Sequence, residues 1–400
     1  MRQEAGTGIA DITILNEIYE IVRTNEKSEY QNIICEKAAY PFMYHLAELR
    51  GNIVHWLPVS KQHSVLEIGA ECGAVTEVLA QKAGEVAYIT DTKLQDNIIH
   101  ARIEKNIPDS DRAKVVGYYE KYCDIEKKLD KYDYIFLVGS FRYASEIVED
   151  KKNPYVELLK QLRMHLKQEG YLIIADANRL GLKYFAGCQE DYFGGYFENI
   201  EGYPATQEYK TFTHGEYKKL LEDAGYEKLE FYYPYPDYKF ATTIYSEKYL
   251  PQKGELSNNL RNFDRERYQF FDERRVFDTL IEEGLFEEFS NSFVIQSPCH
   301  FPCRFGVVKI FPSIKSNGPG HDIPTPTISL SNLSMACLIL NRVISGLSAS
   351  VENCALSSIL YSSSTNATRV FVPPISIATA YFILYSPFYR KRKLKVSFYM

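Results

Sequence analysis

Residues 64–80 read SVLEIGAECGAVTEVLA. Val65, Leu66 and Ile68 form a short apolar run that carries one acid, Glu67. Gly69, Ala70 and Gly73 follow, and Val75, Val78 and Leu79 then recur at helical spacing. The pattern predicts a strand, a tight turn and a helix. Glycine lets the backbone turn sharply and lie close to a ligand. The helix opening near Gly73 directs unpaired N–H groups at whatever sits on the turn. A carboxylate at the strand's end suits a cationic or hydroxyl-bearing ligand better than a triphosphate. The same glycines would also serve an ordinary strand-to-helix turn in another α/β domain.

Outward from this stretch, strands and helices alternate, which predicts a parallel sheet. Strands are expected at Ser64–Ile68, Glu85–Thr90, Lys114–Tyr118, Tyr132–Val138, Tyr171–Ala175 and Lys228–Tyr233. Helices are expected over Ala74–Lys82, from Lys93, over Pro154–Leu166 and after the capping box of Thr213 and Glu216. Ser292–Gln296 is apolar enough for a last, antiparallel strand beside the sixth. Upstream, Ile14, Leu15, Ile18, Ile21 and Val22 give an amphipathic helix over Asp11–Thr24. A second helix is expected over Phe42–Leu57, stopped by Pro58. The fold class is therefore α/β, with a Rossmann-like, seven-stranded, mostly parallel sheet. Three parts are expected: an N-terminal helical cap at 1–60, the α/β domain at 61–297 and an irregular tail at 298–400. In such a sheet, ligands bind beyond the carboxyl ends of the strands.

Composition narrows the function. The chain has 400 residues and a net charge of −6, which argues against generic nucleic-acid binding. The eight cysteines show no CxxC pair, and the loose group Cys299, His300, Cys303 and His321 fits no zinc module, so no metal is expected. The start MRQEAGTGIADIT has no apolar segment of a secretory signal, and a reducing cytoplasm is the expected location. Most of the 32 tyrosines and 23 phenylalanines are expected in the core.

The 64–80 stretch resembles the glycine motif of class I S-adenosylmethionine (SAM) methyltransferases, hydrophobic-hydrophobic-[Asp/Glu]-hydrophobic-Gly-x-Gly-x-Gly. Glu67, Gly69 and Gly73 match, and Glu71 replaces the middle glycine. NRLGLKYFAGC (178–188), YYPYPDYKF (232–240) and NFDRER (262–267) resemble a bacterial family of such enzymes associated with glycosyltransferases of cell-surface polysaccharides. The resemblance covers roughly residues 40–297. It implies SAM as cofactor, a small-molecule or glycan acceptor and a glycosyltransferase partner. It implies that Glu67, Gly69, Ala70, Glu71 and Gly73 bind the cofactor, with the position of Glu71 close to its methionine end.

An acid is expected at the end of the second strand for the ribose. Thr90 holds that position, and Asp91, one residue on, is the candidate. Cys123 and Asp124 are expected near the adenine, and Ser140, in the loop Gly139–Tyr143, near the methyl group. Arg50, Asn52 and Trp56 are expected to line the pocket. Besides Glu71 and Thr90, Ala177 departs from the family, which usually has an acid there. Glu71 either meets the cofactor's ammonium or obstructs the pocket. Set against Glu67 alone it should repel, so Glu71→Gly is expected to tighten binding.

No single catalytic residue is assigned. Asp176, Glu201 and His214 are candidate bases. The insertion 234–289 is expected to be helical and to face an acceptor with hydroxyls or phosphates through Tyr235, Asp237, Tyr238, Lys239, Arg261, Asp264 and Arg265. Competing readings are a degenerate, non-catalytic SAM-fold protein and a nicotinamide-dependent oxidoreductase. The latter is disfavoured because the spacing is not G-x-G-x-x-G.

After Gln296 the composition changes. Residues 298–400 hold 2 of the 52 acids and 10 of the 46 bases. Val370–Tyr389 is an uncharged run of 20 residues followed by RKRKLK, the form of a membrane span with a basic flank, but Pro373, Pro374 and Pro387 interrupt it. A shifted reading frame or a chimaeric gene model, or a disordered segment, is the preferred expectation for this tail over a membrane anchor.

Overall fold

The computed structural model describes residues 12–150, 152–192, 194–204, 209–258 and 269–299. The expectations for Arg261, Asp264, Arg265 and the tail beyond Cys299 lie outside the described residues.

The described residues open with α1 (Ile12–Thr24), α2 (Tyr30–Lys37), α3 (Tyr40–Leu46) and α4 (Asn52–His55). The α/β core follows as β1 (Ser64–Ile68), α5 (Ala74–Lys82), β2 (Glu85–Ile89), α6 (Lys93–Asn106), β3 (Lys114–Tyr118), α7 (Tyr122–Ile125) and β4 (Tyr132–Val138). Next come α8 (Ala144–Ile147), α9 (Pro154–Met164), β5 (Leu166–Ala177), α10 (Leu182–Phe185), α11 (His214–Asp223) and β6 (Glu230–Tyr235). Last are β7 (Thr243–Ser246), α12 (Glu273–Glu282), α13 (Phe286–Phe289) and β8 (Ser292–Pro298).

The strands form one sheet in the order β3-β2-β1-β4-β5-β8-β6-β7. β1 to β5 run parallel, and β8 lies antiparallel between β5 and β6. β1 is central and buried at every residue, because helices cover both faces of a parallel sheet. Two apolar cores follow from this. One joins Leu66, Ile135, Leu158 and Phe293 on one face, and the other joins Val65, Val78, Ile99 and Phe136 on the opposite face. The order reverses at β1 and β4, so the carboxyl ends of these strands face a crevice. Among the described residues, no helix is long and apolar enough to cross a membrane.

Several expectations need correction. Among the described residues the sheet has eight strands, because the insertion after β6 opens with the β6–β7 hairpin before its helices α12 and α13. β5 starts earlier, at Leu166, through an irregular register between Tyr132 and Tyr134 of β4. β6 lies two residues further along than expected. Helix α2 was not legible at all. The helix expected over Phe42–Leu57 is broken at Ala47, whose backbone is extended (φ −66°, ψ 131°), and a 3-10 turn spans Glu48–Gly51. The break has a tertiary cause. Gly51 lies flat on α5, where a Cβ would come 2.6 Å from Val78 Cγ2, and Arg50 is turned inwards and buried.

Candidate functional site

At the carboxyl end of β1 the chain turns through Gly69 (φ +80°), Glu71 (φ +49°) and Gly73 (φ +76°) into α5. The Gly69 and Ala70 N–H groups donate to the Ile89 carbonyl at 3.0 and 2.9 Å, fastening the turn to β2. Gly69 also sits on Ser140, whose hydroxyl donates to the Ile68 carbonyl at 2.5 Å. Gly73 lies over Ile99 of α6, where a Cβ would come 2.8 Å from Cγ1.

A cavity of about 10 Å³ opens at this turn, lined by Glu67, Gly69, Ala70, Glu71 and Val138, with His45 and Arg50 from the N-terminal helices. Such a space holds about one water. Glu67 is buried, and its Oε2 makes no hydrogen bond. Burial pushes its carboxyl up to about 7, against the effects of the Thr76 hydroxyl and Arg50, and Glu71 adds to the rise. Thr76 Oγ1, although close enough to favour the carboxylate, forms no hydrogen bond of normal geometry.

Glu71 is also pushed up to about 7 by burial. Arg50 and the Tyr44 hydroxyl oppose that shift, and Asp91 reinforces it. Arg50 donates from Nη2 to Tyr44 Oη at 3.0 Å and from Nη1 to the Lys239 carbonyl at 3.5 Å, with its guanidinium 4.1 Å from the Tyr44 ring centre. Its Nε is buried without an acceptor. His45 is held down to about 3 by burial, with Arg50 and Arg102 adding to the effect, so it is neutral near pH 7.

The structure thus brings Glu67, Gly69, Ala70 and Glu71 together with Arg50. Gly73 and Ser140 shape the turn from below. Thr90 donates to the Glu71 carbonyl at 3.1 Å, and the Asp91 N–H donates to Gln95 Oε1 at 3.1 Å, leaving the Asp91 side chain exposed. Cys123 is half-buried and Asp124 exposed, 3.9 Å apart in α7, and neither lines this cavity. Asn52 donates to the Ala241 carbonyl at 2.8 Å, and Trp56 packs on Tyr232 at 4.6 Å, covering the sheet instead of the cavity. Tyr44 and His45 went unnoticed in the sequence, where an aromatic pair on an apolar helix reads as core.

Beside the turn, at the ends of β4 and β5, Arg142 pairs with Asp176, and both are buried. Burial pushes the Asp176 carboxyl up, while Arg142 opposes the shift, and its Oδ2 has no partner. Arg142 also donates to Tyr238 Oη at 3.2 Å, and that hydroxyl lies over Gly139, where a Cβ would come within 2.9 Å. Asp237 and Lys239, expected to meet an acceptor, are instead buried in ion pairs with Lys183 (2.6 Å) and Asp191 (3.0 Å). Tyr235 is buried and donates to the Leu256 carbonyl. Glu201 is exposed, and His214 packs on Phe231 at 4.1 Å, at the start of α11.

No family model matches the sequence, and no curated protein matches it. Solved structures are similar to it at low identity and low TM-score. A SAM-dependent methyltransferase from Thermotoga maritima is 15% identical, with 72% of this chain and 100% of that one covered and a TM-score of 0.37. One from Archaeoglobus fulgidus is 16% identical, with 67% and 99% covered and a TM-score of 0.38. A methyltransferase from Bacillus halodurans is 15% identical, with 62% and 98% covered and a TM-score of 0.35.

Proposed function

We propose that the chain is a SAM-dependent methyltransferase. One observation carries this reading. Glu67 and Arg50, each with one buried polar atom that has no partner, line the same small cavity beside a left-handed glycine turn. Buried polar atoms without partners are costly, and a ligand that satisfies them gains that free energy. A carboxylate facing a guanidinium complements the two ends of an α-amino acid, the ammonium and the carboxylate of a methionine moiety. When bound, the cofactor supplies an electrophilic methyl on a sulfonium. Glu67 would hold the ammonium and Arg50 the carboxylate, while Gly69 lets the backbone lie close. Methyl transfer asks the protein chiefly to align the reacting groups and exclude water.

The cavity is far smaller than the roughly 300–1,000 Å³ of ordinary ligand pockets. Cofactor entry therefore requires the segment from Tyr40 to His55 to move from the β6–β7 turn. The ties that must yield are Arg50 to the Lys239 carbonyl and Asn52 to the Ala241 carbonyl.

For the acceptor we infer a sugar-derived compound. Tyr143, Tyr192 and Tyr209 are half-buried with ring centres 4.4–5.8 Å apart, and Tyr143 is close enough to Glu71 and Asp176 to feel both charges. Such rings offer stacking faces to a sugar. The unpartnered oxygen of Asp176 is the group able to take a hydroxyl proton there. A glycosyltransferase partner rests on the family resemblance alone. The closed cavity favours a second reading, a SAM-fold protein that no longer binds the cofactor. Calorimetric titration with SAM and with NADH tests both. Binding of SAM alone supports the proposal, and binding of neither supports the second reading.

A further inference from the structure

The turn that receives the cofactor carries an unusual charge balance. Glu67 and Glu71 line the cavity, and Asp91 acts on Glu71 from the end of β2. The Thr90 hydroxyl, 3.1 Å from the Glu71 carbonyl, ties that neighbouring loop to the turn. Against three carboxylates stands one lining cation, Arg50. The charge of Arg142 also acts on Glu71, but it is already paired with Asp176. His45 is neutral near pH 7. With its carboxylates ionised, the site carries net negative charge. Glu71 holds a left-handed backbone conformation that costs a non-glycine residue. An outlier of this kind at a ligand turn points to a role for the side chain.

We propose that Glu71 makes the pocket discriminate by ligand charge, holding the cationic sulfonium cofactor more tightly than the neutral thioether product. The inference rests on the cofactor reading above. In methyl transfer, an acceptor lone pair forms the new bond to the methyl carbon. The carbon–sulfur bond breaks with its electron pair going to sulfur, and the acceptor's proton passes to a base or to water. The cofactor leaves one positive charge poorer. A pocket of net negative charge therefore loses part of its hold on the ligand at the moment the product has to depart.

The groups facing Glu71 fix the pH dependence. They are Arg50 and Tyr44 from the N-terminal helices, Glu67 from β1, neighbouring Cys72, Asp91 after β2, and Arg142 and Tyr143 after β4. Both arginines keep their charge, and burial pushes Tyr44, Tyr143 and Cys72 up into the neutral form. Only carboxylates change charge near neutrality. Discrimination should therefore grow from pH 6 to pH 8.

The test is calorimetric titration of the full chain with SAM, with S-adenosylhomocysteine and with sinefungin, which carries an ammonium in place of the methylsulfonium. At pH 8, SAM and sinefungin should both bind about fivefold more tightly than S-adenosylhomocysteine, the effect of one screened charge contact. The gap should close at pH 6 and in Glu71→Gln at pH 8. Equal binding of all three ligands would overturn the inference and leave the cofactor reading intact. Sinefungin grouping with S-adenosylhomocysteine, or an unchanged gap in Glu71→Gln, would do the same. If none binds, the cofactor reading fails and the inference fails with it. Should Glu71→Gln not fold, Asp91→Asn and the wild-type pH series decide, because each must narrow the same gap.

Discussion

Replacing Gly69 with alanine measures how tightly the β1 turn is seated. Gly69 has φ +80°, and a Cβ there would lie 2.5 Å from Ser140 Cβ and 3.1 Å from Ser140 Oγ. Two costs add. The left-handed backbone costs an alanine about 1–2 kcal/mol, and crowding a packed site costs about 1–3 kcal/mol. A loss near 3 kcal/mol is expected, a large share of the roughly 5–15 kcal/mol that holds a domain together. Gly284 provides the control. Its φ is +69°, yet nothing lies within 4 Å of its Cβ position, so Gly284→Ala should show only the backbone cost. Urea unfolding of both variants separates the two costs. Adding Ser140→Gly to Gly69→Ala should recover about 1–2 kcal/mol beyond additivity, because the crowding partner is gone. The reasoning fails if Gly69→Ala and Gly284→Ala agree within about 0.5 kcal/mol, or if the double variant is strictly additive.

Glu67 has a folded-state carboxyl raised from 4.5 to about 7, so folding favours its neutral form. Its contribution to stability is full below pH 4.5 and is lost as pH rises through 7. Glu67→Gln should therefore flatten the fall in unfolding free energy over that range by about 3 kcal/mol, read from denaturation at several pH values. In the buried Arg142–Asp176 pair, each single alanine variant should cost about 3–5 kcal/mol by stranding the other charge. The double variant should cost clearly less than their sum, and simple additivity would argue against coupling. A chain ending at Cys299 should retain the folded domain, whereas one ending at Asn291 should not. β8 pairs with both β5 and β6, and the Cys299 N–H still donates to the Gly170 carbonyl at 2.8 Å. Circular dichroism melts of the two truncations check this.

Much of the α/β core was legible because each central strand is a short apolar run closed by glycine or charge. The capping box of Thr213 with Glu216 marks its helix directly, whereas the box of Thr92 with Gln95 went unread. What escaped was tertiary. The break at Ala47 answers to Val78 and to the inward turn of Arg50, neither of which leaves a local trace. β7 is a β-branched and aromatic run, Thr243 to Tyr245, hidden inside a long charged insertion. The site shows the same limit. Set against Glu67 alone, Glu71 should repel, and glycine should improve binding. Arg50, brought in from 21 positions earlier in the chain, offsets the mutual repulsion of the two carboxylates while the cluster stays net negative, so the charge balance favours a cationic ligand. Asp237 and Lys239 looked like acceptor contacts because a charged loop residue reads as accessible, yet Lys183 and Asp191 bury them.

The position of β8 has a consequence for how the chain is made. The last strand among the described residues lies inside the sheet, in a slot between β5 and β6. At about 5–20 residues per second, the roughly 115 residues between Ala177 and Ser292 take on the order of ten seconds to synthesise. Throughout that interval the nascent chain presents the β5 edge with no native neighbour, and the β6–β7 hairpin emerges before its own partner exists. Any direct pairing of β6 with β5 would occupy the slot and would have to come apart before β8 could enter. Successful folding in the cell therefore depends on keeping one interior edge vacant until β8 itself has left the ribosome.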